Sequence, residues 1–121
     1  MIELSQFFTF EAAHRLGVDD DKEHNKRIHG HSFKVEIVVA GEPDPETGIL
    51  IHFEDLEDIC IKYAKADLDH YFLNDIEGLS NPTLENICGW IWDRLVPHIP
   101  QLSEVILYRE SCGQKCRLFR R

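Results

Sequence analysis

Hydrophobic and polar residues alternate along two segments near the start of the chain, residues 2–14 and 31–41. Alternation with a period of two is typical of a β-strand that buries one face. Two later segments, residues 104–110 and 116–119, return to strand character around Ser111-Cys112-Gly113. The pattern therefore predicts four strands, with one pair near each end of the chain.

Two segments between these strand pairs repeat hydrophobic residues at steps of three and four, which is the period of an amphipathic helix. The first segment covers residues 53–63, and the second covers residues 81–95. Asn81 is expected to cap the second helix, and Pro82 suits the first helical position. The acidic stretch at residues 19–23 separates the first two strands and is expected to form a solvated loop.

The element order ββααββ predicts a single α+β domain over residues 1–121, in which a four-stranded antiparallel sheet carries two helices on one face. The first two strands also have hydrophobic side chains at both odd-numbered and even-numbered positions, and therefore on both faces, as the pairs Phe7-Phe8 and Val38-Val39 show. We therefore expect the second face to meet another subunit. Open sheet edges would also allow a neighbouring sheet to continue the ladder.

Composition limits the classes of function. The chain has 121 residues, 43% of them hydrophobic, and a formal net charge of -9. Its only Lys/Arg runs are Lys26-Arg27 and Arg120-Arg121, which argues against a nucleic-acid partner. No apolar run approaches the roughly 18 residues of a membrane span, and polar residues interrupt residues 1–14, so we expect a cytoplasmic protein without a membrane partner. An anionic small substrate would need a local basic patch.

Three histidines are candidates for a metal site. His29 and His31 flank Gly30 at the start of the second alternating segment, so both rings point to the same face of the strand. His14 ends the first alternating segment with the parity of its hydrophobic residues. If the two strands pair antiparallel, all three rings can converge on one ion. The alternative is that one or more of these rings fills the core or caps a strand.

Six runs of residues form a pattern that covers nearly the whole chain: Phe8-Thr9-Phe10-Glu11-Ala12-Ala13-His14, His29-Gly30-His31-Ser32-Phe33, Leu68-Asp69-His70, Leu73-Asn74, Asn81-Pro82-Thr83-Leu84-Glu85-Asn86 and the late Glu110. Together these runs resemble the 6-pyruvoyltetrahydropterin synthase family. Three further runs are similar to its bacterial 6-carboxytetrahydropterin synthase branch, which acts in queuosine biosynthesis: Gly41-Glu42-Pro43-Asp44-Pro45, Trp90-Ile91-Trp92-Asp93 and Glu110-Ser111-Cys112.

The resemblance implies the tunnelling fold, in which three four-stranded sheets close a trimeric barrel and two trimers stack into a homo-hexamer. It implies Zn²⁺ held by His14, His29 and His31, with the fourth tetrahedral position open, as a catalytic zinc requires. The implied reaction converts a pterin, 7,8-dihydroneopterin triphosphate, into 6-carboxy-5,6,7,8-tetrahydropterin or a 6-pyruvoyl or other 6-substituted pterin.

The resemblance also implies roles for other residues. Asp69 and His70 form a proton-transfer dyad, whereas the alternative for His70 is a helix C-terminus whose dipole it complements. Glu110 anchors the pterin, and Thr83 either contacts the pterin or caps a helix. For the triphosphate, the candidate cations are Lys26, Arg27, Lys34, Arg109 and Lys115.

One position departs from the family pattern. The family has a catalytic cysteine four residues before the first histidine of the HxH pair, where this chain has Asn25. An amide cannot act as a general base. The substitution is either engineered, or natural with Glu23 or His24 as the replacement base, or compensated by Cys112. We favour a natural variant, because His52 also replaces the family's common Asp. The chain is therefore either a pterin lyase or a paralogue that binds zinc and pterin with altered or little turnover.

Overall fold

The computed structural model describes residues 1–17 and 22–120. Residues 19–21 of the predicted acidic loop therefore lie outside the described part of the chain. Within the described ranges, no helix is both long enough and apolar enough to cross a membrane.

A four-stranded antiparallel sheet forms one layer, in the order β1-β2-β3-β4. The strands are β1 (Ile2–His14), β2 (His29–Gly41), β3 (Leu102–Arg109) and β4 (Gln114–Phe119). The predicted sheet is confirmed, although β2 begins two residues before the predicted start at residue 31. This extension brings His29 into the ladder directly opposite His14.

Two helical segments cover one face of the sheet, as predicted. The first consists of α1 (Phe53–Cys60), a π-helical stretch at Ile61–Lys65 and a final turn, α2 (Ala66–Leu68). The second is α3 (Leu84–Leu95). The first segment continues five residues past the predicted end at residue 63. A π-helix widens the turn and disrupts the steps of three and four on which the prediction depended.

The core lies between the helices and the inner face of the sheet. Phe10 and Phe33 stack there with ring centroids 4.7 Å apart. Leu56, Ile87 and Ile91 contribute from the helices and are fully buried. On the opposite face, Val38 is buried within the chain while Phe7 stays about half exposed. Hydrophobic residues therefore do occur on both faces, as the sequence indicates.

The start of α3 differs from the prediction. Thr83, rather than Asn81, is the N-cap residue, because the Thr83 hydroxyl accepts a hydrogen bond of 3.1 Å from the backbone N–H of Asn86. Asn81 instead supplies its carbonyl to Thr83 N at 2.9 Å and to Asn86 Nδ2 at 2.8 Å. Pro82 therefore precedes the cap and is not the first helical residue. Its carbonyl lies outside the helical hydrogen-bond ladder.

We predict that Thr83→Ala lowers the free energy of unfolding by about 1 kcal/mol, because the variant leaves the Asn86 N–H without its acceptor. Urea denaturation measures this loss, and Thr83→Ser should retain most of the stability. An alanine variant as stable as the native chain would contradict the capping role.

Candidate metal centre and catalytic site

The pairing of β1 with β2 brings three imidazoles together. His14 lies directly opposite His29, and His31 lies opposite Ala12 two residues further along β2. The ring centroid of His14 is 4.6 Å from that of His29 and 5.1 Å from that of His31. One nitrogen from each ring lies within 4.8 Å of the other two. The convergence expected from the sequence is confirmed.

Backbone carbonyls determine which nitrogens face the centre of this group. His14 Nδ1 lies 2.9 Å from the carbonyl of Pro82, and His29 Nδ1 lies 2.8 Å from the carbonyl of Arg27. A carbonyl oxygen only accepts hydrogen bonds, so each Nδ1 carries the hydrogen. In the neutral rings each Nε2 then carries a lone pair.

The two Nε2 atoms of His14 and His29 face each other at 3.1 Å. Two lone pairs at this separation repel unless a cation lies between them. His31 Nε2 is buried and has no hydrogen-bond partner among the described residues. Three nitrogen donors within 4.8 Å of one another, with two of the rings held by backbone carbonyls, fit a bound divalent metal ion.

Burial lowers the pKa of His14 and of His31 and so favours the neutral form that binds metal. It lowers the pKa of His14 from 6.5 to about 4, although the hydrogen bond to Pro82 opposes the shift. Burial, followed by the nearby positive charge of Arg109, also lowers the pKa of His31. Both imidazoles are therefore neutral at physiological pH without a metal.

Asp69 and His70 lie in an irregular segment directly after α2. Asp69 ends the helix in an extended conformation, and His70 has a left-handed φ of 66°. This bend allows His70 Nδ1 to approach Asp69 Oδ2 to 3.0 Å, although the two residues are adjacent. Asp69 Oδ1 accepts a 2.8 Å hydrogen bond from the Glu11 N–H, which lowers the carboxyl pKa below its usual value. The dyad thus has an ionised carboxylate holding one nitrogen of an exposed imidazole.

Two cavities meet at His31, which lines both of them. The first, which we call the dyad cavity after His70, has a volume of about 490 Å³ and is also lined by Gly30 and His70. The arginine cavity has a volume of about 520 Å³. Besides the metal histidines, its lining includes His24, Asn25, Arg27, Arg109, Cys112 and Gln114.

A short 3₁₀ helix at Glu23–Lys26 contains Asn25, at the position of the family's cysteine, and the two candidate replacement bases Glu23 and His24. The carbonyl of Asn25 accepts a 2.8 Å hydrogen bond from Leu16 N, which joins this helix to the chain just after β1. His24 lines the arginine cavity, whereas Glu23 is not part of its lining. The Glu23 carboxylate lies 3.9 Å from Lys26 Nζ.

The other residues singled out in the sequence, Cys112, Glu110 and His52, lie in three different places. Cys112 Sγ lies 4.0 Å from His31 Nδ1. Glu110 is exposed in the turn after β3, with its Oε1 3.5 Å from Lys34 Nζ. His52 is exposed immediately before α1 and does not belong to the histidine group.

Comparison with known proteins identifies the family. Residues 3–120 match the family model described as 6-pyruvoyl tetrahydropterin synthase. The chain belongs to this family.

Two curated relatives and one solved structure illustrate the similarity. The 6-carboxy-5,6,7,8-tetrahydropterin synthase of Synechocystis sp. is 38% identical over 93% of this chain and 88% of that protein. The dihydroneopterin monophosphate aldolase of Pyrococcus furiosus is 37% identical over 76% of this chain and 73% of its own length. The 6-pyruvoyl tetrahydropterin synthase structure from Caenorhabditis elegans has a TM-score of 0.85 at 20% identity, covering 99% of this chain and 96% of that one.

Sequence reasoning missed the groups that orient the site of this family member. The carbonyls of Pro82 and Arg27 hold two of the three imidazoles, and the Glu11 N–H holds Asp69. Every residue type offers a backbone carbonyl, and every type except proline offers an N–H, so the use of these groups leaves no signature in the sequence. The single available signal is Pro82, whose fixed backbone favours a break before the helix.

We predict that acid destabilises the metal-free protein through His14. The unfolded chain binds a proton near pH 6.5, whereas folded His14 binds it only near pH 4, so stability is lost as the pH falls between these values. The loss attributable to His14 is about 3 kcal/mol. Urea denaturation in EDTA at pH 7 and pH 4 measures it.

His14→Asn should remove this part of the loss, while the exposed-site control His52→Asn should retain it. An equal loss of stability in His14→Asn and in the native chain would contradict the prediction.

Proposed function

We propose that the protein is a zinc-dependent pterin lyase that converts 7,8-dihydroneopterin triphosphate into 6-carboxy-5,6,7,8-tetrahydropterin or another 6-substituted pterin. The observation that carries the proposal is the group of three histidine nitrogens beside the dyad cavity. The similarity to the Synechocystis protein, which is named 6-carboxy-5,6,7,8-tetrahydropterin synthase, supports the carboxylated product. A place in queuosine biosynthesis is part of the proposal and follows from the resemblance to the bacterial branch of the family.

The histidine group suits zinc, because three neutral imidazoles are a common donor set for catalytic zinc sites and leave one tetrahedral position for a ligand. Bound there by His14, His29 and His31, zinc would lower the pKa of the substrate's side-chain hydroxyls and stabilise negative charge next to them. The carbonyls of Pro82 and Arg27 keep the ligating nitrogens unprotonated for this purpose.

His70 is the group we assign to proton transfer at the side chain of the pterin. Asp69 accepts the hydrogen of His70 Nδ1, so Nε2 carries the lone pair and acts as the base. Once protonated at Nε2, the imidazolium is stabilised by the Asp69 carboxylate and can return the proton. The Glu11 N–H holds this carboxylate in place.

The family's catalytic cysteine would supply a second base besides His70, and Asn25 cannot take its place. We therefore expect another residue of the arginine cavity to be this base. We assign this role to His24 rather than Glu23, because His24 lines the cavity and Glu23 does not. Cys112 also lines the cavity and remains the third candidate.

The pterin ring is assigned to Glu110. A carboxylate accepts two parallel hydrogen bonds, which match the ring N–H and the exocyclic amino group of a pterin. Its side chain is largely exposed in the turn after β3, and a ligand there would bind beside the contact between Glu110 Oε1 and Lys34 Nζ. Thr83 already accepts a hydrogen bond as the cap of α3, and its hydroxyl hydrogen can still be donated to the pterin.

We also propose a homo-hexamer built from two trimeric barrels. Strands β1 and β4 are the edges of the open sheet and can each pair with a neighbouring subunit. The half-exposed Phe7 on the face without helices supports an additional contact there.

The alternative is a paralogue that binds zinc and pterin but has altered or little activity. Asn25 favours it, because the residue implied as catalytic in the family is missing here. The Pyrococcus furiosus relative, whose name denotes an aldolase acting on a monophosphate, illustrates altered chemistry at a related site.

Mass spectrometry of the products formed from dihydroneopterin triphosphate tests the proposal. We expect the zinc-loaded protein to form a 6-carboxylated pterin, and protein without zinc or with His31→Ala to form none. His24→Ala should lower kcat on the order of 100-fold, whereas Glu23→Gln should change it less than about threefold.

An inert native chain would contradict the lyase, and activity restored by Asn25→Cys would then establish the binding paralogue. A loss of activity in Glu23→Gln but not in His24→Ala would show that the base is assigned to the wrong residue.

A further inference from the structure

The arginine cavity is positively charged in a chain that is otherwise acidic. Nine described residues line it, and none of these nine is acidic. The whole chain has 22 acidic residues against 13 Lys and Arg. Arg27 and Arg109 lie here beside the metal histidines His29 and His31. Because a concave surface concentrates the field of its charges, this cavity attracts anions.

Arg109 is oriented within the cavity and has an unused donor. Its Nη2 donates a 2.7 Å hydrogen bond to Gln114 Oε1. Its Nε is buried and has no partner in the described part of the chain. A buried N–H without an acceptor costs free energy, which a small rotation of the side chain toward a ligand oxygen would recover. Together with the charge of the cavity, the unused donor supports an anionic ligand.

The other three candidate cations lie elsewhere. Lys34 Nζ lies 3.5 Å from Glu110 and 4.9 Å from the ring centroid of Tyr108. Lys115 lies over the same ring of Tyr108. Lys26 lies near Glu23 and does not line the arginine cavity. Of the five candidates, Arg27 and Arg109 line the arginine cavity together with His29 and His31.

We propose that Arg27 and Arg109 bind the phosphate ester of the pterin substrate in a subsite next to the metal centre. This assignment rests on the proposed function. In dihydroneopterin triphosphate, four covalent bonds separate the 2′-hydroxyl oxygen from the first phosphorus. If the hydroxyl binds the metal and the phosphate binds an arginine, the metal and the arginine must therefore be neighbours. The lining of this cavity meets that condition, because it contains His29 and His31 as well as Arg27 and Arg109. The guanidinium fork matches phosphate oxygens better than an ammonium group does.

Neopterin and neopterin triphosphate test the subsite. Both are oxidised analogues that bind without reacting, and their fluorescence reports binding to the zinc-loaded and the zinc-free protein at one ionic strength. We expect the triphosphate to bind the native protein at least about tenfold more tightly than neopterin. Arg109→Gln should remove about tenfold of triphosphate affinity and leave neopterin affinity unchanged.

Lys115→Gln is the matched control, because it removes one positive charge from outside the cavity and should change neither affinity by more than about twofold. Arg109→Lys keeps the charge but lacks the fork, and it should lose part of the triphosphate affinity. Thermal unfolding checks that each variant folds. If Arg109→Gln does not fold, Arg27→Gln must selectively weaken the triphosphate.

Equal affinity of the native protein for the two analogues would overturn the subsite, as would equal effects of Arg109→Gln and Lys115→Gln. In both cases neopterin still binds, so the proposed function survives. If neither analogue binds the native protein, the proposed function fails and the subsite fails with it.

Discussion

The register between β1 and β2 is the constraint on which the candidate site depends. It places His14 directly opposite His29, with His31 next on the same face. A shift of one residue would turn a strand's side chains to the other face of the sheet. The register that buries Phe10 against Phe33 is therefore also the register that brings the three histidines together. Packing of the core and assembly of the candidate metal centre depend on the same strand pairing.

The helices complete this arrangement from the other side of the core. Because α3 starts after Thr83, the carbonyl of Pro82 lies outside the helix and is available to His14. The end of α2 similarly releases Asp69 and His70 into a bend that contacts β1 through Glu11. The ends of two helices thus position the groups around the candidate metal centre, while the sheet supplies the three histidines that could bind the ion.

The elements that could be predicted from the sequence are those with a regular spacing of hydrophobic side chains. Alternation gave the strands and the shared face of His29 and His31, and steps of three and four gave the two helices. The sequence did not reveal the π-helical stretch at Ile61–Lys65, because an irregular turn removes the period that identifies a helix. It placed the cap of α3 at Asn81, since both Asn and Thr are favoured cap residues and only the three-dimensional contacts decide between them.

X-ray absorption spectroscopy of the zinc-loaded protein is the decisive measurement for the three-histidine site, because it counts the atoms around the metal. We expect three imidazole nitrogens and one further oxygen or nitrogen ligand at about 2.0–2.1 Å. A sulfur ligand at about 2.3 Å would instead place Cys112 on the metal and close the open position. That result, or fewer than three imidazoles, would contradict the site described for His14, His29 and His31.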